Sequence, residues 1–146
     1  MSQSQVHVEI GNRVHLVRGA NNARFPEANC LLIDDETLTL VDAGSNMSHI
    51  EVTLRDLGHA VKDIDLIVLT HFHIDHKGHA AEIHRVSDCE VICHPLGERG
   101  VRYFDGMVEF YGIRAHRYYG DWMDLLRTRL PHIVDDYEVT GFLQDR

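Results

Sequence analysis

Thr70-His71-Phe72-His73-Ile74-Asp75-His76-Lys77-Gly78-His79 follows directly on Ile64-Asp65-Leu66-Ile67-Val68-Leu69, a run that is almost wholly apolar. Such a run reads as a central strand covered on both faces. The histidine-rich stretch then sits at that strand's end. With a strand period of two, His71 and His73 project to the same side. The chain turns next, so that Asp75 and His76 approach from a neighbouring direction. Two imidazoles and a carboxylate–imidazole pair can serve two adjacent metal ions, imidazole suiting zinc or iron and carboxylate any hard divalent ion. Strand ends in α/β sheets are also where ligand sites gather. A polar loop with incidental histidines is a poor account of four ligand-type residues at this spacing.

Working outward, residues 38–69 read as strand, helix, strand. Leu38 to Val41 is extended, and Met47, Ile50, Leu54 and Leu57 make one apolar helical stripe. Ser48 and Glu51 have the spacing of a capping box, and Gly58 stands where a left-handed helix stop belongs. The unit predicts two parallel strands with a right-handed crossover. Cys30 to Ile33 is a further strand. Val6, Val8 and Ile10 alternate with polar residues, and Gly11-Asn12 turns the chain into Val14 to Val17, a hairpin pattern. Residues 19–28 read as a loop. Downstream, a short helix near 78–86 and a strand from Glu90 to His94 extend the alternation. Residues 97–130 read as helices, with Trp122, Leu125, Leu126 and Leu130 as a stripe ended by Pro131, and they hold seven of the eleven aromatics. Glu138 to Leu143 resembles the start of another strand.

The 146 residues suit one domain, and 44% hydrophobic against 25% charged residues excludes disorder as the main state. No apolar run approaches the ~18 residues of a membrane span. The start, Met1-Ser2-Gln3-Ser4-Gln5, shows no basic region followed by an apolar stretch, and three cysteines do not make a disulfide scaffold, so a cytoplasmic location is expected. A net charge of −9 argues against a nucleic-acid surface. The outlier is histidine. There are twelve, and His71, His73, His76, His79 and His84 fall within fourteen residues, which concentrates metal or proton chemistry in one place.

Thr-His-x-His-x-Asp-His-x-Gly over residues 70–78 resembles the signature of the metallo-β-lactamase-fold hydrolases. Asn29 to Gly44, ending in Asp42-Ala43-Gly44, is similar to that family's strand pair closing in Asp-x-Gly. The order of elements agrees over residues 6 to about 95. The resemblance implies an α/β fold in layers, an αββα sandwich of which this chain carries little more than the N-terminal half plus a helical segment. It implies that His71 and His73 bind a first metal and Asp75 and His76 a second, zinc before iron or manganese. Asp42 would brace the ligands from behind. Asp75 would also orient the attacking hydroxide and handle its proton, a catalytic role. The reaction would be hydrolysis of a thioester, ester or lactone, amide or phosphodiester in a small-molecule substrate, with no nucleic acid or membrane involved.

The family's third histidine, in a Gly-His-Thr-Pro-Gly-His-like segment, its bridging aspartate and its last histidine have no counterpart here. The expectation is therefore one shortened domain over 1–146: a core with the metal loop in 1–95, an aromatic helical segment in 97–131, and the start of a strand in 138–146. The alternative from another class is a non-catalytic metal-binding or interaction half-domain that needs a partner or its missing C-terminal half. Among the remaining residues, His79 is expected to line the pocket or cap the next helix, His94 to point toward the same edge, and His84 to lie at the surface. Cys93 reads as a small buried residue, and Gly44 and Gly78 as tight turns. The aromatic stretch 103–122 reads chiefly as core, with a contact between copies of the chain as a further use.

Overall fold

Alternating apolar residues pair the first segments into a meander, and the computed structural model of the chain, which describes residues 5–144, carries the pattern through seven strands. The reading of the chain start at residues 1–4 and the last two positions, 145–146, lie outside the described residues. β1 (His7–Gly11) and β2 (Val14–Val17) form the expected hairpin. β3 (Cys30–Ile33) and β4 (Thr39–Val41) continue it antiparallel. The sense then changes. β5 (Leu66–Val68), β6 (Glu90–Cys93) and the short β7 (Gly141–Phe142) each pair parallel with the strand before, and spatial order follows chain order.

Parallel neighbours need crossovers, and each crossover here carries helix. α1 (Met47–Asp56) links β4 to β5, as expected. α2 (Ile74–Lys77) and α3 (Ala80–Ser87) link β5 to β6. α4 (Glu98–Arg102), α5 (Phe104–Tyr111) and α6 (Tyr119–Arg129) lie between β6 and β7. The main core forms where one sheet face, with Val17, Cys30, Leu32, Leu40, Ile67, Val91 and Cys93, meets Ile50 and Leu54 of α1 and Ala80, Ala81 and Ile83 of α3. A second cluster under the helical segment joins Ile74, Phe104, Met107, Val108, Met123, Leu126, Leu130 and Ile133, and Phe72 packs against both clusters.

The opposite sheet face is equally apolar and has no such cover. Val8, Leu16, Leu31, Val41, Val68 and Ile92 stand opposite one another across β1 to β6. Each is partly exposed, and none belongs to either core cluster. The expectation of a strand buried on both faces therefore holds for only one side of β5. Ile67 is fully buried while Leu66 and Val68 are not, because α1 and α3 both pack on the Ile67 side.

Three local expectations change. α1 is capped by Asn46, whose side chain accepts the N–H groups of Ser48 and His49 at 3.0 and 3.4 Å, instead of by a Ser48–Glu51 box. Asn46 sits just ahead of the helix with extended backbone, where a side-chain oxygen reaches the first free N–H groups. Within the expected loop, Asn21, Asn22 and Ala23 make a left-handed turn with φ from 53° to 59°. Along α6 and at its end, Trp122, Leu126 and Leu130 of the expected stripe join the second core cluster, while Leu125 is 47% exposed and Met123 is buried in its place. Among the described residues no helix is long and apolar enough to cross a membrane.

Candidate metal centre

The candidate centre forms where the β4 and β5 strand ends hand their chains to loops. The Asp42 N–H donates to the Val68 carbonyl at 2.8 Å, which extends the parallel ladder by one bond. The Ala43 N–H then donates to the His76 carbonyl at 2.9 Å, and the His79 N–H donates back to the Ala43 carbonyl at 2.8 Å. Glycine is required at the closest approach. A Cβ on Gly44 would lie 1.5 Å from the Asp75 carbonyl oxygen, and one on Gly78, which has φ +41°, would lie 2.2 Å from that of Ala43. The tight positions expected at Gly44 and Gly78 are thus two halves of one contact, the Asp42–Gly44 turn locked against the histidine loop.

Asp42 is 6% exposed and has a left-handed backbone, φ 62°, which a non-glycine residue adopts at a cost. That conformation aims its carboxylate under the loop. Oδ1 accepts the Thr70 N–H at 2.8 Å, and both oxygens lie within 2.9 Å of the Thr70 hydroxyl. Oδ2 also lies 2.9 Å from His76 Nδ1. A carboxylate only accepts, so His76 carries its proton on Nδ1 and leaves the Nε2 lone pair free. The Thr70 hydroxyl spends its one proton on Asp42, so at 2.9 Å it accepts from His71 Nδ1. His71 Nε2 is freed in the same way. One carboxylate therefore sets the tautomer of two imidazoles, directly for His76 and through Thr70 for His71.

The rings crowd together. His71 lies 4.6 Å from His73 and 4.3 Å from His76, centroid to centroid. Burial, and then the neighbouring His76 and His73, hold the His71 pKa below its ordinary value, so the ring stays a neutral donor. The free His76 Nε2 is 3.8 Å from Asp75 Oδ2, near the ~3.4 Å that separates two ligands of a tetrahedral ion. The structure thus brings His71, His73, Asp75 and His76 to one edge with Asp42 behind them. In its chemistry this donor set suits metal ions. Its geometry stops short of a closed shell, because among the described residues no three His, Cys, Asp or Glu side chains converge to hold one ion.

Other readings resolve individually. His79 occupies the N-cap position of α3 without a side-chain cap bond, bonds Glu82 through Nδ1, and stacks on His132 at 4.2 Å. Both histidines line a cavity of about 280 Å³ with Glu27, Asn46 and Arg129. Burial, then the adjacent His79, pushes the His132 pKa down to about 4. His94 is exposed and accepts the Leu96 N–H on Nδ1, so it caps a turn. His84 lies within 2.8 Å of the Cys89 carbonyl and is partly buried. Cys93 is buried, and burial pushes its thiol up to about 11. Sequence reasoning missed Thr70 as a relay, although it opens the motif. It also missed Tyr111 and Gly100, which reach the loop only through the tertiary fold.

The sequence matches the family model described as the metallo-beta-lactamase superfamily over residues 23–144. No match was found among curated proteins. Among solved structures the chain is similar to BJP-1, a subclass B3 metallo-beta-lactamase of Bradyrhizobium japonicum (TM-score 0.62, 18% identity, 96% of this chain and 46% of that one). It is similar to native FEZ-1 metallo-beta-lactamase from Legionella gormanii (TM-score 0.63, 14% identity, 95% and 46%). It is also similar to MEM-A1, a subclass B3 enzyme isolated from a soil metagenome library (TM-score 0.55, 26% identity, 68% and 36%). The matched region is therefore less than half the length of each of these relatives.

Proposed function

This chain belongs to the metallo-beta-lactamase superfamily, and on that premise we propose that its histidine loop supplies the first part of a metal-dependent hydrolase site. His71 and His73 would hold one ion, and Asp75 and His76 a second, with zinc favoured by the imidazole-rich set and iron or manganese as alternatives. The observation that carries this reading is Asp42, which turns the Nε2 lone pairs of His71 and His76 outward at once. An incidental histidine cluster has no need of a shared carboxylate that fixes two tautomers.

A bound ion would supply an activated water and polarise the substrate's carbonyl or phosphoryl oxygen. The chain's own residues do the rest. Asp75 presents a partly exposed carboxylate beside His76, able to orient a water and accept its proton at Oδ2. Asp42 keeps His76 from swinging its Nδ1 toward the ligand side. Thr70 does the same for His71, and the Gly44–Asp75 contact fixes the loop backbone below both. The substrate class is a thioester, ester or lactone, amide or phosphodiester of a small molecule. The remaining donors would come from a further segment, in keeping with a chain that spans under half of its relatives' length.

Elemental analysis of the purified chain tests this. Bound zinc, iron or manganese is expected, falling to a trace in His71→Ala/His73→Ala. Less than ~0.2 metal per chain, unchanged in that variant, would defeat the reading. Asp42→Asn is expected to weaken metal binding by about 10–100-fold. Against a panel of thioester, lactone and bis-nitrophenyl phosphate, turnover that survives Asp75→Ala would remove Asp75 from the chemistry. The absence of a converged three-donor group among the described residues favours a second reading, a non-catalytic metal-binding half-domain. It predicts weak binding in the same assay and no turnover on any of the panel.

A further inference from the structure

The aromatic helical segment has no part in the site as described so far, yet it touches the histidine loop at two places. The Ile74 N–H, at the first position of α2, donates to the Tyr111 hydroxyl at 3.0 Å. His73 stands at the N-cap of α2 and provides no side-chain cap bond, so Tyr111 meets from another element a donor that the helix start leaves open. The Tyr111 ring also stacks on the His73 imidazole, centroids 5.5 Å apart at 30°. It meets Phe72 edge-on at 5.6 Å and is backed by Trp122 at 5.6 Å. On the other side of the loop, the ammonium of buried Lys77 donates to the Gly100 carbonyl at 3.3 Å. Gly100 must be glycine there, since a Cβ would lie 2.6 Å from the Phe110 ring and 2.9 Å from Phe72.

These contacts fall on His73 and Ile74 within the ligand run and on Lys77 just after it. His73 is exposed and, unlike His71 and His76, makes no bond to Asp42 or Thr70. Its ring stacks on the Tyr111 face, with Phe72 edge-on at 5.0 Å and His71 at 4.6 Å. We propose that Tyr111 is a positioning residue for the metal loop, holding the His73 ring by stacking and the Asp75–His76 turn through the Ile74 N–H. The proposal rests on the metal-site reading for its consequence and on the aromatic geometry alone for its mechanism. It divides the loop's support in two. Asp42 and Thr70 orient His71 and His76 from the sheet, and Tyr111 orients His73 from the helical segment.

Two variants separate the two contacts. Tyr111→Phe keeps the ring and removes the hydroxyl, while Tyr111→Leu removes both. In metal-free protein, the His73 ring-proton resonances are expected to shift in Tyr111→Leu, where the ring current is lost, and to stay near wild type in Tyr111→Phe. With zinc as the probe, competition against a chromophoric chelator is expected to show about 10-fold weaker binding in Tyr111→Phe and about 100-fold in Tyr111→Leu. Trp122→Phe, which keeps an aromatic ring behind Tyr111 and leaves both Tyr111 contacts to the loop intact, is expected to bind zinc as wild type does. The absorption of a bound cobalt ion should change in both Tyr111 variants and not in Trp122→Phe. Unmoved His73 resonances in Tyr111→Leu would overturn the proposal, as would wild-type zinc affinity in both Tyr111 variants. A wild-type chain that binds no zinc would instead defeat the metal-site reading, and the His73 resonances would still report whether Tyr111 stacks on the ring.

Discussion

On the helix-covered face of the sheet, Leu32, Leu40, Ile67 and Val91 stand side by side with no exposed surface. One residue further along, or one residue back on β3, the row Leu31, Val41, Val68 and Ile92 is aligned in the same way and is just as apolar, yet none of it is buried. The two faces differ in neither residue type nor register. They differ in what the crossovers bring. α1 and α3 both lie on one side and deliver Ile50, Leu54 and Ile83 to it. An apolar strand face is a demand for cover, and only the rest of the chain decides whether the demand is met. The metal loop lies at the sheet end, so the covered face is also its foundation.

Alanine substitutions on either side of one peptide bond give the sharpest contrast. Leu40→Ala empties a fully packed position and is expected to cost about 2–5 kcal/mol in urea unfolding. Val41→Ala, its neighbour on the open face, is expected to cost about 1 kcal/mol or less, because it belongs to neither core cluster and part of its surface already meets water. Equal losses would break the comparison and mean that the second face is covered in solution.

Acid should distinguish the faces next. The aligned central row of the open face has no titratable side chain, whereas the covered side ends in the stacked pair His79 and His132 with Glu82 and Glu27 nearby. The His132 pKa is pushed down from 6.5 to about 4 in the folded chain. The unfolded chain therefore binds the extra proton first. The stability that His132 contributes is complete above about pH 6.5 and is lost as pH falls from there toward 4. Discounted for a ring that keeps some contact with water, the loss is about 1 kcal/mol. Thermal unfolding at pH 7 and pH 5 should show it in wild type and a smaller drop in His132→Asn. An equal drop in both would locate the acid sensitivity elsewhere.

Local spacing carries the parts that could be read from the sequence. Strand alternation gave the hairpin, the run at 64–69 gave the parallel unit, and the histidine spacing placed His71, His73, Asp75 and His76 at one edge. Asp42 was legible through the family resemblance, whose Asp-x-Gly stands at residues 42–44. Tyr111 and Ile74 are 37 residues apart, and nothing in either neighbourhood marks the other. The same holds for His79 and His132, and for Lys77 and Gly100. The cap of α1 was misplaced by two residues because Asn, Ser and Glu all stand near the helix start and any could cap it; the backbone at Asn46 decides. The open face was misread for a different reason. A strand that is apolar on both sides looks the same whether or not its second cover is present.

That last ambiguity can be tested with a single charge. Val68→Lys places an ammonium in the middle of the open row, between Val41 and Ile92. If water reaches that row, the lysine stem lies along the apolar surface with its charge in solvent, and unfolding should change by about 1 kcal/mol or less. An uncovered apolar row across six strands also invites association, against which the net charge of −9 works only at long range. Sedimentation velocity over a concentration series should therefore show wild type forming larger species sooner than Val68→Lys. The same substitution one residue back, Ile67→Lys, buries the charge beneath α1 and α3 and should prevent folding. If Val68→Lys proves as damaging as Ile67→Lys, the open face is occupied in solution, and the two sides of the sheet are equivalent in packing as well as in sequence.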